Sequence, residues 1–407
     1  MDVLFLSPHY PGEMHHFTRG LAEVGARVHG VGDQPVEGLP AMVRAHLSSY
    51  LHVPRIMDEA DVTARVLRWV HERGLRLDRV ESLWEPLVLL AARLRERLGV
   101  DGIGHDVALG FRDKGVMKQR VAAAGLRVPR ARRAASEAEI LAVAPEVGFP
   151  LVVKPIAGAG SADTFRADDL GALRARLDTM HVAGEWSVEE YIDGDEFTFD
   201  AICIEGRVVY QNVVQYLPRP MISRHEQWIS PAQITLRDLS QPALQGGLKL
   251  GHDVVRALGY GSGFIHMEWF RNSKGEAVFG EIGARSGGGH LVDQMNFTSD
   301  IDLFREWARV VCWKSFEADV PRAYNCAAIF KRAHGEGHIR RIEGLAEFRR
   351  ANQRWICWEN FAPIGSPRRD WKNSLVGDGF IIVRHPEWAG AWRLMEQCVG
   401  GIRLIAG

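Results

Sequence analysis

The sequence lacks most of what would place it in a specialised class. Its five cysteines, Cys203, Cys312, Cys326, Cys357 and Cys398, are far apart, and no two form a C-x-x-C pair. That spacing predicts reduced, mostly buried thiols, with neither a disulfide framework nor a zinc site. No apolar run approaches the length of a membrane span, so no membrane partner is expected. An excess of one charge is also missing: 50 Lys and Arg stand against 51 Asp and Glu, for a formal net charge of -1. A nucleic-acid or acidic-membrane partner is therefore not expected. The arginine-rich stretch Arg127–Arg133 is short and reads as a solvated face. The sequence has no G-x-G-x-x-G after its first strand and no Walker G-x-x-x-x-G-K-[ST]. The apolar run Val3–Leu6 has no basic segment before it, which leads to the expectation of a cytoplasmic protein.

What is present is ordinary in bulk and specific in arrangement. Apolar residues make up 46% and charged residues 25%, as in a globular protein. A length of 407 residues exceeds one core and predicts two or three domains. Residues 1–105 alternate strand and helix patterns: Val3–Leu6, then Phe17, Leu21 and Val24 at helical spacing, then Val28–Val31. Val62, Val66, Trp69 and Val70 mark a second helix, Val80–Trp84 a strand, and residues 86–98 a further helix. This βαβ series predicts a small parallel sheet with helices on its faces. Ligands in such sheets sit beyond the carboxyl ends of the strands, which puts His9, Tyr10, His15 and His16 near a substrate; for His15 and His16 exposed helix positions are the alternative.

Further on, Pro150–Pro155 is a strand ending in Lys154, and a small-residue loop with Gly158, Gly160 and Ser161 follows. Backbone N–H groups in such a loop can cradle phosphates, although a tight hairpin turn uses the same residues. Trp186–Ile192 reads as a strand, and Glu196–Ile204 with Arg207–Tyr216 as a hairpin. Residues 217–240 have no clear period and predict a long loop, with Arg219, Arg224, His225 and Trp228 as candidate substrate contacts, loop surface being the alternative for each. The stretch that organises the chain is Gly263–His290, two apolar runs about Arg271–Gly275. A turn centred on Lys274-Gly275 sets Glu268 opposite Glu281. Two carboxylates facing across a ladder repel unless something neutralises them. A divalent cation would do so, Mg²⁺ being held by one or two carboxylates together with phosphates. A solvated hairpin with two exposed acids is the other reading.

In order, the chain carries Arg-Asp-Lys at 112–114, FPLVVKP with its glycine loop, VEEYIDGDEFTFD, HMEW and GEIGARSGGG. This series closely resembles the ATP-grasp superfamily, in particular its carboxylate–amine ligase branch, over about residues 100–300 and more loosely throughout. The resemblance implies an α/β fold with an N-terminal Rossmann-like parallel domain (1–107) and an ATP-grasp domain (108–318, lid about 120–192). A small α+β C-terminal unit (319–407) would follow, similar to that of biotin-carboxylase-like members. It implies ATP with Mg²⁺, or Mn²⁺ in its place, as cofactors.

The same resemblance assigns roles by position. Lys114 and Lys154 match lysines on the ATP phosphates, and Gly158, Gly160 and Ser161 the loop closing over them. Glu189, Glu190, Tyr191 and Ile192 match the hinge whose backbone reads adenine, so their side-chain identity should matter little. Glu196 matches the acid that accepts from the ribose, Glu268 and Glu281 the metal ligands, and Arg285 the arginine facing the acyl phosphate. His266, Gly288 and His290 lie beside this site in sequence and are candidate substrate contacts with His9 and Tyr10. Where the family commonly reads Glu-x-Asn-Pro-Arg, this chain has Gly283 in place of the Asn, which removes one oxygen from the metal site.

The implied reaction is ATP-dependent ligation of a small-molecule carboxylate to an amine through an acyl phosphate, on amino-acid-like substrates. A homodimer is an expectation from the resemblance alone. Two rivals remain: a small-molecule carboxylase using bicarbonate, and a nucleotide-binding protein without catalysis, which Gly283 keeps in view.

Overall fold

The computed structural model describes residues 1–156, 164–180, 184–223, 226–371, 374 and 376–407. Gly158, Gly160, Ser161, Arg224 and His225 lie outside these residues. Near the N-terminus, Asp2–Leu6, Arg27–Gly32, Ser49–His52 and Arg79–Glu81 form a four-stranded parallel sheet. Its first strand, DVLFL, is buried throughout, as a parallel strand covered on both faces must be. Glu59–Glu72 covers one face by turning Val62, Val66, Trp69 and Val70 inward.

A second four-stranded sheet, antiparallel, is ordered Ala131–Ala134, Trp186–Glu190, Leu151–Pro155, Phe165–Ala167. The third has eight strands and opens with Ala277–Gly283, Gly263–Asn272, Gly194–Ile204 and Arg207–Leu217. It continues through Ala232–Thr235, Asn325–Lys331, Gly379–His385 and Ile356–Phe361. The expected division at 318/319 thus falls between strands of one continuous sheet. The stretch 217–240 is also not one long loop: it holds the short helix Pro220–Ser223 and the strand Ala232–Thr235, fully buried at the centre of that sheet. Prolines on both sides and only four residues hide this strand from periodicity; its neighbours decide it.

The helix Pro242–Leu258 packs on this sheet through Gly247 and Gly251. A Cβ on Gly247 would lie 2.1 Å from the Trp269 ring, and one on Gly251 2.5 Å from Phe199. Each glycine costs the helix about 0.5–1 kcal/mol relative to alanine. In return the fully buried rings of Trp269 and Phe199 pack closely against its backbone. Among the described residues no helix is long and apolar enough to cross a membrane.

Candidate active site

Asp113 starts the helix Lys114–Ala123 by accepting from the N–H groups of Gly115 (2.8 Å) and Val116 (3.0 Å). Lys114 and Lys118 are four residues apart and share one face of it; both are buried, with 6% and 5% exposure. Facing them, Lys154 stands opposite Ser187 across the ladder, with Glu189 diagonal to it. Glu189 pairs with Lys118 and with Lys154 (3.1 Å), and accepts from Ser187 Oγ at 2.7 Å. Burial opposes its charge, but the two lysines hold the carboxyl far below the usual range. Burial likewise opposes the Lys154 charge, and Glu189 and Glu281 reverse this, holding the ammonium protonated. The expectation that side chains matter little at 189–192 is therefore corrected. Glu189 is the buried counter-charge of two lysines, and Glu190 accepts from Arg127 (2.9 Å) and from the Arg130 N–H (3.2 Å).

The hairpin sets Glu268 opposite Glu281, by a route the sequence did not suggest. Asn272 closes the turn with Glu276, and Gly275 takes φ +79°, so the ladder beside the turn pairs Trp269 with Phe279. Continued unbroken, that register would bring Gly280 to Glu268. A bulge absorbs Gly280, where a Cβ would lie 2.8 Å from the Glu268 carbonyl oxygen, and turns Glu281 into place. Glu281 lies 3.4 Å from Lys114 Nζ and 3.9 Å from Lys154 Nζ; these outweigh its burial and lower its pKa. His266 faces Asp200 across the next ladder, with Nδ1 2.6 Å from Asp200 Oδ1 and Nε2 3.8 Å from Glu268. Burial disfavours its cationic form, but Asp200 pushes the pKa up to about 9. Asp200, fully buried, also accepts from Thr198 Oγ1 at 2.5 Å.

Arg285 donates to Glu85 of the N-terminal region at 2.8 Å through both Nε and Nη2. Glu196 is held 3.2 Å from Arg219, which also donates to the Ile192 carbonyl (2.8 Å) and the Tyr191 hydroxyl (3.1 Å). Burial and then the nearby Glu268 push Glu196 up to about 8, against the pull of Arg219. Lys114, Lys154, Glu189, Glu196, Glu268, Glu281 and Arg285 all line one cavity of about 400 Å³ between the sheets.

The chain matches no protein-family profile. It is 24% identical over 294 residues to the L-arginine-specific L-amino acid ligase of Bacillus subtilis, covering 70% of this chain and 68% of that protein. Two further curated relatives are matched over 48% and 49% of their length. Among solved structures, an L-amino acid ligase from Bacillus licheniformis superposes over all of this chain and 98% of the other, with a TM-score of 0.80 and 20% identity. The biotin carboxylase domain of the Hydrogenobacter thermophilus 2-oxoglutarate carboxylase, solved with MgADP and bicarbonate, covers 99% of this chain at a TM-score of 0.70 and 18% identity. The chain has the ATP-grasp fold.

Within the ATP-grasp cavity the donor set suits a hard cation. Glu268 and Glu281 offer carboxylate oxygens from facing strands, and the cysteines are elsewhere. Among the described residues no cluster of three or more His, Cys, Asp or Glu is placed to hold a metal without help. Two carboxylates completed by phosphate oxygens and water fit Mg²⁺, which keeps several such ligands.

The other candidate residues divide. His266 and Gly288 line the ATP-grasp cavity. His290 does not line it and lies 3.0 Å from Asp293, with its ring 4.0 Å from that of Phe380. His9 and Tyr10 do not line it: His9 pairs with Asp33 at 3.1 Å, and Tyr10 packs edge-on to Trp84. Pro11 and Glu13 of the same loop line it instead. Trp228 is 66% exposed on the surface, whereas Arg219 lines the cavity. Sequence reasoning missed Lys118, Asp200, Glu85 and Glu13. For Lys118 a signal existed, its i,i+4 spacing from Lys114; the other three meet the site only through tertiary contacts.

Proposed function

We propose that the protein is an ATP- and Mg²⁺-dependent ligase, ADP-forming, that activates a small-molecule carboxylate as an acyl phosphate and joins it to an amine, on amino-acid-like substrates. The observation that carries this reading is the single cavity in which the opposed Glu268 and Glu281 share space with Lys114, Lys154 and Arg285. The similarity to L-amino acid ligases supports it.

On this reading the substrate carboxylate attacks the γ-phosphorus in line and ADP leaves, a transfer governed by positioning and charge neutralisation. Lys114 and Lys154 hold the phosphates as compact, fully charged ammonium groups. Glu268 and Glu281 hold Mg²⁺, which when bound neutralises charge on the phosphate oxygens. Glu189 anchors Lys154 from beneath, so the ammonium is fixed before nucleotide arrives. Hinge backbone at 189–192 borders the adenine, and Glu196 accepts from the ribose. The amine then attacks the activated carbonyl, phosphate leaves, and Arg285, oriented by Glu85, stabilises the oxyanion. A cytoplasmic location belongs to the same proposal.

The test is Mg²⁺-dependent ADP release with amino acids offered singly and in pairs, with and without bicarbonate. Release requiring two organic partners is expected. Release requiring bicarbonate would replace the ligase with a carboxylase, and nucleotide binding without release would make the protein a non-catalytic binder.

A further inference from the structure

The two hairpin glutamates have different partners. Glu281 lies against Lys114 and Lys154. Among the described residues the one cation paired with Glu268 is His266, two positions earlier on the same strand and so on the same face. His266 lines the cavity but is only 7% exposed. Its Nδ1 lies 2.6 Å from Asp200 Oδ1, and the other Asp200 oxygen accepts from Thr198 Oγ1. The fully buried Asp200 thus has both oxygens engaged. The glycine run closes over this pair: a Cβ on Gly287 would lie 2.9 Å from His266 Nδ1 and 3.1 Å from Asp200 Oδ1. Gly287 does not occupy positive φ, so close approach is what requires glycine there. Across the other ladder His266 stands opposite Gly283, which has no side chain to crowd the ring. The ring is held at Nδ1, and its Nε2 is 3.8 Å from Glu268 Oε1, a gap that a small rotation of the Glu268 side chain closes to a hydrogen bond. An ionised carboxylate only accepts, so a ring placed between two of them donates to both. Stability alone does not call for such a buried pair, since apolar residues of the same volume often serve as well.

We propose that His266, braced by Asp200, is a positioning residue of the metal site: it holds one oxygen of Glu268 and leaves the other free for the cation. The inference rests on the metal pair of the proposed ligase and deepens it. His266 is then neither a substrate contact nor a metal ligand. Its work is done on Glu268, the carboxylate that has no lysine to fix it, in a chain where Gly283 supplies no oxygen of its own. Groups that orient metal ligands in this way are typically worth about 10- to 100-fold in metal affinity.

Mn²⁺ binding to the intact protein saturated with ADP tests this, followed by electron paramagnetic resonance. ADP affinity in EDTA and the unfolding midpoint are measured on the same samples. His266→Asn keeps a donor for Asp200 but no longer reaches Glu268, and should weaken Mn²⁺ about 10- to 100-fold with ADP affinity in EDTA unchanged. His266→Gln places its amide near the position of Nε2 and should restore part of the loss. Asp200→Asn should weaken Mn²⁺ although His266 and both glutamates remain. Should that variant fail to fold, Thr198→Val, which frees one oxygen of Asp200, takes its place with a smaller loss expected. A merely structural pair would instead lower the unfolding midpoint and ADP affinity in EDTA together. Unaltered Mn²⁺ affinity in His266→Asn or in the folded Asp200 or Thr198 variant, or equal losses in His266→Asn and His266→Gln, would overturn the proposal. Coupling of an imidazole nitrogen to the bound Mn²⁺ would also overturn it, by making His266 a ligand. Wild-type protein that binds no Mn²⁺ with ADP would remove the metal pair from the ligase reading and this inference with it, whereas wild-type binding matched by His266→Asn would overturn the positioning role alone.

Discussion

At the lysine end of the cavity, charge is already arranged before any ligand arrives. Glu189 is clamped between Lys118 and Lys154, Glu281 lies against Lys114, and Arg219 braces Glu196. At the other end the buried Ser286 hydroxyl has no hydrogen-bond partner among the described residues. The first end resembles a preorganised electrostatic site, which gains by not having to reorganise when charge moves. The second end resembles a specificity pocket, where leaving a polar group unanswered is the penalty for the wrong substrate. The difference suggests one molecule with a fixed chemical engine and an adjustable choice of substrate.

The sharpest way to break the comparison is to neutralise the engine. Glu281→Gln keeps shape and removes charge, and should lower ADP release by about 10²- to 10³-fold with little change in circular dichroism. Normal turnover in this variant would remove the hairpin from the chemistry. Glu189→Gln should act mainly on stability. It strips the buried Lys118 of its carboxylate and leaves Lys154 only the weaker Glu281 contact, at 3.9 Å. Breaking such a pair costs about 3–5 kcal/mol. A clear fall in the denaturant midpoint is expected, and an unchanged midpoint would mean that Glu189 is not the anchor described.

These two positions also mark what the sequence could and could not reveal. The Glu268–Glu281 pairing was legible because strand period and turn residues are local signals. Even so, the register reached its expected value through a three-residue turn compensated by the Gly280 bulge. The order of strand-end lysine, hinge and hairpin was legible through resemblance. The role of the Glu189 side chain was not, since its partners Lys118 and Lys154 come from a helix and a strand distant in sequence. Asp200 likewise becomes informative only when the ladder sets it against His266. The buried strand Ala232–Thr235, with its sequence AQIT, has too few apolar residues to declare a place at the centre of a sheet.

A smaller effect tests whether the lysine end is as fixed as it looks. The folded Glu196 carboxyl is raised to about 8 from an ordinary 4.5, so it holds its proton through neutral pH. Its neutral form favours the fold at low pH, and that contribution is lost as pH rises from 4.5 towards 8. The ionised form accepts ribose hydroxyls more strongly than the neutral one, so ATP affinity without metal should rise several-fold between pH 6.5 and 8.5. Arg219→Met removes the cation that opposes the shift and should move this rise to higher pH. A flat profile in both proteins would show Glu196 ionised throughout.

The smallest expected effect concerns Gly283, where the sequence departs from the Glu-x-Asn-Pro-Arg pattern that it otherwise resembles. Residues 281 and 283 lie on one strand and share a face, so a side chain at 283 points the same way as Glu281. A built Cβ there meets Arg285 Cγ at 3.3 Å and Nε at 3.5 Å, atoms of a flexible side chain, and Gly283 does not occupy positive φ. Gly283→Asn should therefore fold, with Arg285 yielding by a few tenths of an ångström. Its amide oxygen would stand beside Glu281 and add one ligand for a hard cation. The midpoint for Mg²⁺ in ADP release should fall about 2- to 10-fold, which corresponds to less than about 1.4 kcal/mol, with kcat changed less than the midpoint. If the midpoint does not move, the two glutamates, phosphate and water already complete the site, and glycine at 283 costs the engine nothing. If kcat falls while the midpoint stays, the asparagine has displaced Arg285, and the space that Gly283 leaves open serves the arginine and not the metal.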